Sequence, residues 1–127
     1  MLEKYPFPSE MPKVFIDNDG VVNVIFGTII ITPAHIIHGA AIQKQTFPDQ
    51  KLPVMIVGEI AKNIKGEIAQ IGSSESVASV TERLAIVTER KITQVLGKLF
   101  IEAQENPYET KLFSTQKEAK MWLTSTS

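Results

Sequence analysis

The spacing of apolar positions changes several times along the chain, and each change marks an element. Val14, Phe15 and Ile16 form a short β-rich run, Asp17-Asn18-Asp19-Gly20 a polar turn, and residues 21–26 a second β-rich run, together predicting a hairpin. Thr32 before Pro33 reads as a helix start, because the hydroxyl caps and the missing proline N–H costs nothing at the first helical position. That helix is expected to run to about Gln45, with Ala34, Ile36, Ile37, Ala40 and Ala41 on one side. His35, His38 and Ile42 fall on the other, so both histidines are expected to face solvent.

After Pro48, residues 53–57 are continuously apolar, the pattern of a covered strand placed centrally in a sheet. Ile60, Ile64, Ile68 and Ile71 keep helical spacing, interrupted at Gly66. A loop at 72–76 and one further helical turn over 77–83 lead to a second buried strand at 84–88. Ile92, Val95, Leu96, Leu99, Phe100 and Ala103 then make a single stripe, the face of a helix packed on the sheet. Residues 111–113 form a short strand, and Thr115 with Glu118 has the spacing of a capping box that opens a final helix with Ala119, Trp122 and Leu123 inward.

This alternation predicts an α/β fold with a mostly parallel sheet of about five strands, an N-terminal hairpin and packed helices. Ahead of it, Pro6, Pro8 and Pro12 alternate with Tyr5, Phe7 and Met11, so residues 1–12 are expected as an extended arm and 13–127 as one domain. The arm either lies across its own domain or exchanges with a neighbouring subunit, in which case Tyr5 and Phe7 are contact residues. Gly97, inside a helix at a cost of about 1 kcal/mol relative to alanine, suggests close approach of another backbone. Ile101 shares its outward side, which makes Gly97 and Ile101 a second candidate contact patch.

Composition narrows the function classes. With 127 residues and 43% apolar content the chain can build one core. A net charge of -1, from 13 basic and 14 acidic residues spread along the sequence, supplies no footprint for nucleic acid or an anionic membrane. The absence of cysteine excludes disulfides and thiolate sites and fits a reducing compartment. Residues 1–6 lack the apolar core of a secretory leader, and the apolar run at 24–31 is broken by Gly27 and Thr28, so a soluble cytoplasmic protein is expected.

Candidate chemistry is thin. Asp17-Asn18-Asp19-Gly20 resembles the start of a calcium loop, but the twelfth position, where a glutamate is needed, is Thr28. Gly97-Lys98 is followed by Leu99 where a nucleotide loop needs Ser or Thr. His35 and His38 lack a third metal ligand, and the serines at 73, 74 and 76 lack a base. Glu59 and Glu67 would serve as acid and base only if a pocket joined them. No cofactor, metal or catalytic residue is assigned, and a non-enzyme is expected.

The strand at 53–57, the block 84–88 with Val95-Leu96-Gly97, and Thr110-Lys111-Leu112-Phe113 with Glu118-Ala119 and Trp122-Leu123 carry a resemblance. The chain resembles the SpoIIAA-like, or STAS, fold of bacterial anti-anti-sigma factors, and more closely small bacterial STAS-like proteins, over about residues 11–123. In regulatory members of that family a serine preceded by aspartate, at the start of the helix after the third strand, is phosphorylated to switch partners. The corresponding stretch here, Asn63-Ile64-Lys65-Gly66, has no Ser, Thr or Asp. The charge that phosphorylation would add therefore has no hydroxyl to carry it at Ile64, Lys65 or Gly66. The resemblance implies a non-enzymatic domain acting through contacts with a protein partner, a homodimer included. The alternative is a small apolar, lipid-like ligand held between helices and sheet.

Overall fold

A hairpin and three further strands make one sheet in the order β1 (Lys13–Ile16), β2 (Val22–Ile31), β3 (Leu52–Ile60), β4 (Thr81–Val87), β5 (Glu109–Phe113). The computed structural model describes residues 5–60, 70–89 and 107–125. β1 runs antiparallel to β2, and every other pair is parallel, giving the expected α/β architecture with β3 in the centre. Expectations for the helix at 90–106 and for residues 61–69 lie outside the described residues.

Because β2, β3 and β4 are parallel neighbours across the sheet, right-handed crossovers bring the helical segments 33–46 and 75–78 to one face. Helix α1 (Pro33–Thr46) and the short α2 (Glu75–Ala78) lie there, with Ile37, Ala40, Ile71, Val77 and Val80 as their core. Helix α3 (Gln116–Leu123) follows the last strand and covers the opposite face, where Ala119 and Leu123 meet Val21, Met55, Ala85 and Val87. Strand alternation divides the side chains: Met55 and Val57 face α3, whereas Val54 and Ile56 face α1. Full burial of side chains such as Val21 and Met55 contributes about 1.5–3 kcal/mol each.

The caps form as the sequence predicts. Thr32 Oγ1 accepts from the His35 N–H, and Thr115 Oγ1 accepts from the Glu118 N–H at 3.2 Å. The hairpin turn closes with Asp17 N–H donating to Val21 O and Gly20 N–H to Asp17 O, both at 3.1 Å, with Gly20 at φ +79°. This is a three-residue loop with glycine in the left-handed position. The Asp17 carboxylate is occupied by its own loop, accepting from Asp19 N–H at 2.9 Å and Val21 N–H at 3.1 Å.

Three expectations need correction. β2 does not stop at Phe26: Gly27 takes φ +62°, the chain bulges, and pairing with β3 resumes at Ile30↔Glu59 after Ile25↔Val57. The turn expected over 77–83 ends at Ala78, because Thr81 pairs with Leu52 and the Leu52 N–H donates to Val80 O at 3.0 Å. His35 does not face solvent; it is buried, since the N-terminal arm covers the side of α1 that periodicity assigned to water.

Candidate functional site

α1 packs most closely on α2 rather than on the strands, and the gap beneath it is a cavity of about 470 Å³. Val22 and Val24 of β2 and Val54 and Ile56 of β3 form its floor, and Ile36 and Ala40 of α1 its roof. Three polar side chains on its wall already donate to backbone carbonyls: His35 to Glu10, Gln43 to Val80 at 2.7 Å, and Thr46 to Ile42 at 2.8 Å. No charged side chain lines it among the described residues. Its volume falls in the range of small-molecule sites, and its lining favours neutral apolar matter.

The arm is fastened over α1 by two histidines one turn apart. His35 Nδ1 accepts from the Thr32 N–H at 3.1 Å, which places the ring proton on Nε2, and Nε2 donates to Glu10 O at 2.7 Å. Nε2 of His38 meets Tyr5 O, and Phe7 stands edge-on to the His38 ring at 5.2 Å between centroids. Of the two arm residues singled out by sequence, Tyr5 is half-buried against the α1–α2 core and Phe7 is 59% exposed. Residues 5–12 thus lie against α1 of the same chain. Met11 and Pro12 continue from it along the cavity.

Beyond the cavity the sheet ends in β1, an edge strand whose residues are all exposed: Val14 56%, Phe15 40% and Ile16 39%. Because the Asp17 N–H points at β2, strand alternation turns the backbone groups of Phe15 and Lys13 to β2 as well. Those of Val14 and Ile16 point away from the sheet. Ile42 on α1, also exposed, borders the same opening, so cavity rim and strand edge form a single apolar surface. Natural edge strands usually carry charges or prolines that discourage pairing; here Pro12 and Lys13 stand at one end of β1, and Val14, Phe15 and Ile16 after them are uncharged.

A second polar feature sits at the carboxyl ends of β3 and β4. Thr88 Oγ1 donates to Glu59 Oε2, and Glu59 Oε1 is buried with no hydrogen-bond partner among the described residues. Glu67, the other half of the acid–base pair considered from sequence, lies outside the described residues, as do Gly97, Ile101, Ile64, Lys65 and Gly66. No cluster of three potential metal ligands occurs among the described residues, and no helix there is long and apolar enough to cross a membrane.

Residues 15–127 match the family described as Domain of unknown function (DUF7793). The chain belongs to the DUF7793 family. The match begins within β1, at Phe15, and includes β2 to β5, α1 and the cavity floor and roof of this DUF7793 domain, while Met11, Pro12 and Val14 on the cavity rim precede it. No curated protein matches the chain. A solved structure, the crystal structure at 2.20 Å of a protein with unknown function from Arthrobacter sp. FB24, is 17% identical. Its alignment covers 91% of this chain and 98% of that one with a TM-score of 0.28, a value that carries no inference about the fold.

Proposed function

We propose that this DUF7793 domain is a STAS-like, non-enzymatic module that acts through protein contacts at the β1 edge and the apolar rim beside it. The observation that carries the reading is the exposure of Val14, Phe15 and Ile16 on a strand whose outward backbone groups face away from the sheet. Such an edge offers main-chain hydrogen bonds for affinity and alternate side chains for specificity. The alternating order of strands and helices supports the STAS-like comparison, while the sequence at 63–66 supplies no phosphorylatable group, so contact is regulated by other means than that family's serine.

The test compares affinity capture by the wild-type domain and by a Val14→Lys variant, followed by mass spectrometry and light scattering. A specific partner, or self-association, that is retained by the wild type and lost by the variant is the expected result. A monomer with no partner sensitive to that substitution contradicts the proposal.

The cavity favours a second reading, a small neutral apolar ligand between α1 and the sheet. Native mass spectrometry after gentle purification would then reveal a copurified adduct, and an adduct-free chain speaks against it.

A further inference from the structure

We infer that the partner of the β1 edge is a second copy of this chain, paired β1 to β1 in antiparallel fashion about a two-fold axis at Phe15. The inference rests on the protein-contact reading above and names the partner. A two-fold axis makes an edge self-complementary, and the direction of the outward backbone groups limits the registers available. Only Val14 and Ile16 of β1 present N–H and C=O outward, so Val14 must face Val14 or Ile16 of the other copy, or each Ile16 must face its equivalent.

Centring the axis on Val14 would set Ile16 opposite Pro12, which has no N–H to give. With the axis at Ile16, Val14 would lie opposite Asn18, inside the hairpin turn. The register at Phe15 lets Val14 and Ile16 of each copy exchange both backbone bonds with Ile16 and Val14 of the other. Pro12 then ends the ladder.

The side chains agree with that register. Lys13, Phe15 and Asp17 share one face of β1, so Lys13 of each copy lies opposite Asp17 of the other while the two Phe15 rings meet on the axis. Lys13 already stands over its own Phe15 ring at 5.4 Å, and Asp17 already receives Lys120 at 3.4 Å, so the added cation joins an existing charge cluster. On the other face Val14 and Ile16, exposed in one copy, cover their counterparts beside Ile42. The result is one continuous sheet across both copies.

The chain has no cysteine, which makes crosslinking a direct test of register. In the pairing at Phe15 the two axial residues form a non-hydrogen-bonded pair with Cα atoms about 4.5 Å apart, within disulfide reach. Equivalent Val14 residues are diagonal neighbours at about 7–8 Å. Under mild oxidation a Phe15→Cys variant is expected to crosslink several-fold faster than Val14→Cys, although Val14 is the more exposed position and random collision would favour it. Light scattering of the wild type should give a dimer at high protein concentration, weakened by Lys13→Glu; thermal melts confirm that each variant folds. A wild-type monomer, or a Val14→Cys variant that crosslinks as fast as Phe15→Cys, overturns the inference. If the chain is monomeric yet captures a partner in a way that Val14→Lys abolishes, self-pairing fails and the wider contact reading stands; if both results fail, both are wrong.

Discussion

Asn23 donates from Nδ2 to Asp17 Oδ2 at 3.1 Å, tying the fully buried start of β2 to the turn that ends β1. The same amide donates to Val21 O at 2.9 Å, and Lys120 of α3 approaches Asp17 from above. The Asp17 carboxylate thus adds to the backbone ladder in fixing the turn between β1 and β2. Burial acts to raise the pKa of Asp17, but hydrogen bonds from Asn23, Val21 and Asp19 and the Lys120 ammonium outweigh it and hold the carboxyl below its ordinary range.

Acid should therefore loosen the hairpin. Asp17 favours the charged form when folded, so its share of stability is complete above the unfolded carboxyl value of about 4 and is lost as pH falls through the lower folded value. Asp17→Asn should reduce stability at neutral pH by about 1–3 kcal/mol and flatten the acid limb. Chemical denaturation from pH 7 to pH 3 checks both; an unchanged acid limb would contradict the assignment.

Gly58 leaves no room for a side chain between β3 and Phe26 of β2. A Cβ there would lie 2.8 Å from Phe26 Cβ, an atom fixed close to the backbone where β2 bulges. Gly58→Ala should destabilise by about 1–3 kcal/mol, read as a lowered denaturation midpoint. A neutral effect would mean that the bulge relaxes freely.

His35 couples the start of α1 to the arm. His35→Ala removes both the acceptor for the Thr32 N–H and the donor to Glu10 O, costing about 1–2 kcal/mol. It should also speed proteolysis at residues 5–12 before the domain itself is cut. Unchanged cleavage kinetics would show that the arm is held elsewhere.

Tyr108 is half-buried beside the α1–α2 core, and desolvation pushes its hydroxyl up to about 12 while Oη donates to Gly72 O at 2.5 Å. The raised value favours the neutral phenol in the folded chain, so its contribution is complete below the unfolded value of about 10 and is lost as pH rises through about 12. In an absorbance titration Tyr108→Phe should remove the late phenolate step, with a stability loss of about 1 kcal/mol.

Local signals carried well from sequence to structure. Thr32-Pro33, Thr115 with Glu118, and the continuous apolar run at 53–57 act through neighbours a few residues away, and the elements formed where expected. His35 did not follow its helical phase, because the covering group is Glu10, twenty-five positions distant. Gly27 looked like a strand breaker, yet its positive φ is what lets β2 bulge and continue. The cavity depends on how far α1 stands from the sheet, which apolar spacing does not encode. The outward direction of Val14 and Ile16 needed the turn geometry at Asp17 and Gly20.

The most direct test of the β1 edge as the working surface is amide hydrogen exchange at Val14 and Ile16 over a series of protein concentrations. Both amides point away from the chain's own sheet, so self-pairing predicts protection that grows with concentration there, while the Phe15 amide, bonded to β2, stays protected throughout. Rapid, concentration-independent exchange at Val14 and Ile16, up to the highest concentration at which the chain stays in solution, would contradict pairing between copies at this edge.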